Sequence, residues 1–376
     1  MPWLRGHCPF DETARKEFRN PMKELLLVSL LMFATGLPAA AATIECVAGC
    51  GEGPRNSARQ MKLSEPFGVD FGSRGKWYIC EHKGERIMVV DSSGTGQVFA
   101  GTGNEGYSGD VGPAKEATFF DPHALLVRGL SMWIADTRNH CIRQVSLNTN
   151  RIRTIAGTGQ AGFSGDNGPA KNAQFNGTFA IAIDKSGRRL YIADLNNRRV
   201  RMIDFDSDAV TTVAGNGQAG VPQDNADAAD SPLVDPRAVA VDSKGNLYIL
   251  ERRGNALRVV NKQGKIQTLI APTTEASSSS SRTRVEPDLN GPKHLCVDRK
   301  DNVIIADAEN HLVRKYDPKT GKTTTIAGTG EKGQTIVSGD PLKTQLNRPH
   351  GVSVHRSGDL YISDSYNHRI LRMSLR

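Results

Sequence analysis

Ile155-Ala156-Gly157-Thr158-Gly159 decides the fold, because close relatives of it recur along the chain. Val47-Ala48-Gly49-Cys50-Gly51, Ala100-Gly101-Thr102-Gly103, Ala214-Gly215-Asn216-Gly217 and Ala327-Gly328-Thr329-Gly330 are four further copies. A degenerate sixth, Ile270-Ala271-Pro272-Thr273, falls where the period requires one. From Ala48 to Ala100 is 52 residues, and from Ala156 to Ala214 is 58. Units of this length, made of short apolar runs and Gly-rich turns, cannot bury a sheet face alone and must stack on one another.

The copy from Arg153 to Val200 shows how one unit is built. A short run ending at Ala156 leads into a long loop holding Ser164-Gly165-Asp166 and Pro169-Ala170. Phe179–Asp184, Leu190–Asp194 and Arg199–Ile203 follow, separated by turns at Lys185-Ser186-Gly187 and Asn196-Asn197. Four short strands with Gly, Asp and Asn at the bends read as an antiparallel meander. The last copy stops after its third strand, and Thr43–Ala48 matches a fourth strand with nothing before it. The sequence therefore predicts an all-β fold, a six-bladed β-propeller of four-stranded antiparallel blades. The N-terminal strand completes the C-terminal blade and closes the ring, over residues 43–376. Closure removes exposed sheet edges.

Ile155–Gly159, Ser164–Asp166, Leu190–Asp194 and Asn367-His368-Arg369-Ile370 resemble NHL repeats, which form six-bladed β-propellers. The resemblance covers nearly all of residues 43–376 and suggests a bacterial exported type. It implies a fold more than a function, since related propellers include ligand-binding modules, surface-sensor domains, lyases and lactonases. The fifth repeat departs most, carrying the serine-rich tract Ala276–Ser281 in place of its loop.

Residues 1–42 are set apart from the repeats. Met22–Ala42 read as a secretory signal peptide: Lys23 supplies charge, Leu25–Phe33 the apolar stretch, and Ala39–Ala42 small residues for cleavage after Ala42. Met22 reads as the translation start. The apolar run is too short to span a bilayer, so no transmembrane anchor is expected after cleavage. The expected location is the periplasm or the extracellular space, and the expected state a monomer. The whole chain is 38% hydrophobic, 23% charged and has a net charge of +8. Residues 1–42 hold five Lys/Arg and four Asp/Glu, which leaves +7 for the rest. The charges are spread through the repeats without a Lys/Arg-rich block, and together with export they argue against nucleic acid as a partner. RNA binding, known for cytoplasmic proteins with NHL repeats, is thereby set aside.

Five cysteines follow the leader: Cys46, Cys50, Cys80, Cys141 and Cys296. An odd number cannot pair completely within one chain. Cys80 and Cys296 sit in apolar strands and are expected as buried thiols. Cys46 and Cys50 lie four residues apart at a strand end, and their pairing stays open.

Chemistry in such an array belongs at the mouth of the central channel. The residue after the Pro, or its equivalent, at the start of each innermost strand gives Phe67, His123, Phe179, Arg237, Lys293 and His350. Two imidazoles, a guanidinium, an ammonium and two aromatics on one axis suit an anionic or carbohydrate ligand. The same side chains could equally fill the channel with bulk and water. No cofactor is predicted, and no catalytic or metal-ligating set is firm. The alternative is a propeller enzyme, a metal-dependent lyase or lactone hydrolase using His123 and His350. Peptidylglycine-amidating lyases, which this protein resembles in fold, hold zinc through three channel histidines in a Pro-His context. Pro122-His123 and Pro349-His350 match that context, but the third position does not, and His294 is displaced by one residue, onto the other strand face. Zinc needs three protein ligands and water, and a nearby guanidinium repels it. Calcium would need a carboxylate and an amide near the channel.

The remaining recurrent groups read as structural. Asp70, Asp184, Asp242 and Asp298 end strands and suit turn formation; Asp110, Asp166 and Asp340 suit turn caps. His140, His311 and His368 sit on turns where they can hydrogen-bond backbone. Arg143, Arg201, Arg258 and Arg314 recur seven residues after a strand-end acid and are expected to form weak surface pairs. The partner class is thus a protein, a glycan or a small anion at the channel mouth.

Overall fold

Alternating apolar residues and Gly-rich bends fold every repeat into four antiparallel strands, and a computed structural model describes residues 42–273 and 288–374. The leader expected over 22–42, except Ala42, and the tract 276–281 lie outside the described residues. β1 (Ile44–Ala48) comes first in the chain. Blade one holds β2 (Pro66–Phe71), β3 (Trp77–Glu81), β4 (Arg86–Val90) and β5 (Gly96–Ala100). Blade two holds β6 (Pro122–Arg128), β7 (Ser131–Asp136), β8 (Cys141–Ser146) and β9 (Ile152–Ala156). Blade three holds β10 (Thr178–Ile183), β11 (Arg189–Asp194), β12 (Arg199–Asp204) and β13 (Ala209–Ala214). Blade four holds β14 (Pro236–Val241), β15 (Leu247–Glu251), β16 (Ala256–Val260) and β17 (Ile266–Ile270). Blade five holds β18 (His294–Val297), β19 (Val303–Asp307), β20 (Leu312–Asp317) and β21 (Lys322–Ala327). Blade six holds β22 (Gly351–Val354), β23 (Leu360–Asp364) and β24 (Arg369–Met373), with β1 as its outermost strand.

The ring closes as the repeat pattern requires. β1 pairs with β24 from Ile44↔Met373 to Ala48↔Ile370. The innermost strands neighbour one another in the order β2, β6, β10, β14, β18, β22 and back to β2. Apolar faces of adjacent blades meet in shared clusters; Ile87 of blade one, for example, packs with Phe119, Met132 and Ile134 of blade two.

The recurrent Ala-Gly pair has a steric cause. Gly101, Gly157, Gly215 and Gly328 sit at φ between +92° and +100°, or at +90° for Gly215, after the outermost strand. A Cβ there would come within 2.1–2.5 Å of a carbonyl oxygen in the turn before the third strand. The Gly157 N–H also donates to Ala170 O, folding the long loop back. In blade four Ile270 pairs with Leu257 as Ala156 does with Ile142, so Ala271 holds this position and Pro272 follows it.

The strand-end acids are the main polar fixture. Glu81, Asp136, Asp194, Glu251, Asp307 and Asp364 are fully buried. Each accepts a backbone N–H from the loop that leads into its own blade: Ser64, Phe120, Asn176, Val234, Asn290 and Asn347. Arg143, Arg201, Arg258 and Arg314 meet these acids as expected, but the pairs are buried, not at the surface. Stacked blades exclude water there, so the pairs are structural rather than marginal. Asp110 and Asp166 also depart from expectation. They accept from Arg143 and Arg201 as second carboxylates, and only Asp340 caps a turn, taking the Leu342 N–H at 3.0 Å. Asp184, Asp242 and Asp298 form turns. Asp70 instead accepts Val127 N–H of blade two and ties two blades together.

Cys46 and Cys50 are joined by a disulfide. Cys80 and Cys141 are buried thiols; Cys296 is half-buried and packs against the apolar cluster that holds Val352 and Val354.

Candidate functional site at the channel mouth

The mouth is built by a backbone irregularity repeated blade by blade. In blades one to four the register of the two inner strands slips beside the residue after the Pro or Thr, between Pro66 and Gly68 in β2 and between Pro122 and Ala124 in β6. The slip in β10 includes Phe179 and that in β14 includes Arg237. A bulge leaves one residue outside the ladder and re-aims its side chain. In blades five and six, Lys293 and His350 stand just ahead of β18 and β22, donating their N–H groups to Ala306 O and Ser363 O.

Phe67 sits between two imidazoles. It stacks on His82 at 4.3 Å and 15° and on His350 at 4.3 Å and 10°; two parallel rings at one distance must occupy opposite faces. His123 meets Phe67 edge-on at 5.1 Å and Phe179 edge-on at 4.6 Å. Five of the six ring positions expected from sequence are thereby linked, because Arg237 lies over the Phe179 face at 4.4 Å. Lys293, the sixth, pairs with Glu309 instead, its Nζ 3.5 Å from the carboxylate. The aromatic stack plugs the channel, so a ligand would rest on it. His82 was not visible as a site residue. It occupies the position after the strand-end acid, where the other blades carry Thr137, Leu195, Arg252, Ala308 and Ser365. That one imidazole in a column of unlike residues was the available signal.

Arg237 is the electrostatic oddity. It is 5% exposed, its Nε is enclosed without a hydrogen-bond partner, and no ion pair joins it to any described residue. Asp235, two residues away, is taken instead by Arg252 at 2.9 Å. Burial, then the Arg252 charge, press Arg237 down to about 9, still a cation at neutral pH. Burial and Arg237 press Lys293 down to about 8. Burial likewise lowers His82 to about 4 and holds His123 and His350 well below the ordinary imidazole range. The site is short of negative charge.

Both ring histidines have a fixed tautomer. His123 Nδ1 lies 2.7 Å from Asp121 O, and His350 Nδ1 lies 2.8 Å from Arg348 O. A carbonyl oxygen only accepts, so each Nδ1 carries the proton and each neutral ring leaves Nε2 as a bare acceptor. His294 faces elsewhere: its Nδ1 accepts Val352 N–H at 3.5 Å, toward blade six. A zinc or calcium set does not fit these residues. Phe67 covers one face of His350 and meets His123 at 70°, no ion pair among the described residues brings a carboxylate to either ring, and the Arg237 charge adjoins them.

Two cavities lie elsewhere. A cavity of about 530 Å³ lies at the far ends of the inner strands, lined by Asp70, Val127, Asp298, His355 and Arg356 among others. Another of about 880 Å³ lies beside blades three and four, near Tyr191, Met202 and Lys244. The carboxylates of the first are satisfied by backbone N–H groups, Asp70 by Phe71 and Val127 and Asp298 by Lys300 and Asn302. Concavity there is not matched by unsatisfied chemistry, whereas the plugged mouth holds a buried cation without a partner.

Comparison with known proteins agrees with this architecture. The family model of the teneurin NHL domain matches residues 206–375. The chain is 26% identical over 319 residues to NHL repeat-containing protein 2 of Homo sapiens, covering 77% of this chain and 43% of the relative. It therefore spans less than half of that relative's length. Among solved structures, an auxiliary nutrient binding protein from Bacteroides thetaiotaomicron superposes with a TM-score of 0.61 at 12% identity, covering 89% of this chain and 76% of the other. Virginiamycin B lyase from Staphylococcus aureus superposes with a TM-score of 0.51 at 14% identity, covering 89% and 100%. The matches support an NHL-repeat family, and the two superpositions speak to the fold alone.

Proposed function

We propose that this propeller is a binding module that takes an anionic ligand at the channel mouth. Arg237 carries the reading. A guanidinium buried to this degree costs several kcal/mol of desolvation unless an anion or dipole compensates it, and here the face of Phe179 is its main partner. An incoming anion would supply the missing charge, with Lys293 as a second cation. The basic balance of the chain adds long-range attraction. The proposal includes export to the periplasm or beyond, motivated by Lys23, Leu25–Phe33 and Ala39–Ala42. A mature N-terminus at Thr43 is the mass-spectrometric signature.

Arg237→Met keeps the length of the side chain and removes the charge. Wild type should gain thermal stability with at least one anion of a panel of carboxylate, phosphate and sulfate salts at constant ionic strength, as any ligand of the native state requires. The gain should vanish in the variant. Equal gains in both proteins would defeat the reading.

A second reading is an enzyme, a lyase or lactone hydrolase, favoured by the two bare Nε2 atoms of His123 and His350. Each is a proton acceptor held in one tautomer, as a general base requires. Turnover of a lactone substrate that disappears in His123→Gln and persists in chelator would promote it over binding alone.

A further inference from the structure

We infer that the ligand at this mouth is a carboxylate that carries hydrogen-bond donors of its own, in the simplest case a hydroxy acid, and not a phosphate or sulfate. The inference rests on the binding role of Arg237 and adds the chemistry around it. Arg237 lies over the Phe179 ring at 4.4 Å, and its enclosed Nε has no hydrogen-bond acceptor. Its planar fork matches the two oxygens of a carboxylate. That alone would also admit phosphate.

The histidines separate the two. Asp121 O and Arg348 O hold the Nδ1 protons of His123 and His350, so both rings keep a lone pair at Nε2. The rings stay neutral because burial and the Arg237 charge both oppose a second proton. A sulfate or ionised phosphate would set oxygen lone pairs against these nitrogens. Hydroxyl or N–H groups next to the carboxylate would satisfy them. A buried acceptor left without a donor costs about 1–3 kcal/mol, so the preference is not small.

Two measurements test this. Long-range proton–nitrogen spectra of the imidazoles at pH 7, assigned with His123→Gln and His350→Gln, should show both rings as the Nδ1–H tautomer. An Nε2–H or doubly protonated ring at either position would overturn the inference without reference to any ligand. Calorimetry with gluconate, hexanoate, glucose and sulfate then separates the contributions. Gluconate should bind best, with hexanoate weaker by about tenfold for each lost hydrogen bond. Glucose and sulfate should be weaker still. His350→Phe, which preserves stacking on Phe67, should bring gluconate toward hexanoate, whereas Arg237→Met should weaken both. Hexanoate or sulfate binding as well as gluconate would remove the donor requirement and leave the anion site standing. Failure of all four to bind in an Arg237-dependent way would defeat both.

Discussion

Gly177 in blade three donates its backbone N–H to Nδ1 of His140 in blade two, at 3.0 Å. The same tie crosses other seams. Arg348 donates to His311 and Glu65 to His368, while Gly291 donates to Asn255 Oδ1 and Asp121 to Glu85 Oε2. Each acceptor sits in the left-handed region, at φ between 45° and 55°. At the seam between blades three and four the position is Arg198, a side chain with no acceptor, and the blade beyond that seam carries the unpartnered Arg237.

Asn255 shows what could replace a histidine at such a seam. His140→Asn keeps an acceptor and tolerates positive φ, but cannot titrate. Burial lowers His140 below its ordinary range. The stability its neutral form contributes is therefore complete above the unfolded value of 6.5 and is lost as pH falls from there toward the folded value. We expect wild type and variant to match at pH 8 in urea unfolding. At pH 5 the variant should be ahead by about 0.5 kcal/mol, a figure kept small by solvent screening. A wild type no worse at pH 5 would show that His140 does not titrate with folding.

Arg201→Met removes the cation shared by Asp194 and Asp166. We expect a loss of about 3–5 kcal/mol at pH 8, because a buried carboxylate is left without its partner. Burial already raises Asp194 to about 6. Without Arg201 it should protonate more readily, so the penalty should shrink toward pH 5. A penalty constant with pH would assign the effect to packing.

Gly351→Ala would bring a Cβ within 1.8 Å of Phe67 O, where blade six meets blade one. Gly68→Ala, one seam on, finds its nearest neighbour, the Leu125 nitrogen, at 3.2 Å. Thermal melts should show about 3 kcal/mol or more lost for the first and about 1 for the second. Equal losses would mean that the blades yield more than their contacts imply.

Phe67→Ala empties the space between His82 and His350. A loss of about 3–5 kcal/mol is expected from the transfer and cavity costs. Water entering there should also let the His350 value rise toward that of a free imidazole, followed by its ring-proton shifts. A silent His350 would mean that its low value comes from the cations and not from the plug.

The propeller was legible because the determinants of a repeat are local and are stated six times. Gly157 needs positive φ beside a carbonyl oxygen, and its equivalents announce the same need. The ring positions were legible for the same reason, through Pro122-His123 and Pro349-His350. What escaped was contact between repeats. Nothing along the chain shows that Asp110 faces Arg143, since they meet through a loop folded across a strand. The burial of the Arg201 pair depends on a neighbouring blade that only assembly supplies. His82 stands in a row that the other blades fill with Thr, Leu, Arg, Ala and Ser, so its one signal is a lone imidazole without a recurrent motif around it.

The pairing of β1 with β24 also sets an order of events. Glu45 and Arg372 meet across 327 positions of sequence. Closing so long a loop costs entropy that is recovered only when the pairing forms, so the ring shuts last. During synthesis β1 emerges first and waits for its partner until nearly every blade has been made. The Cys46–Cys50 bridge spans only four residues and needs no distant strand, so it can form early. Until β24 arrives, the outer edge of blade six stays open. That interval is when a second chain could pair there, and it sets how quickly the protein must be handed on or finished.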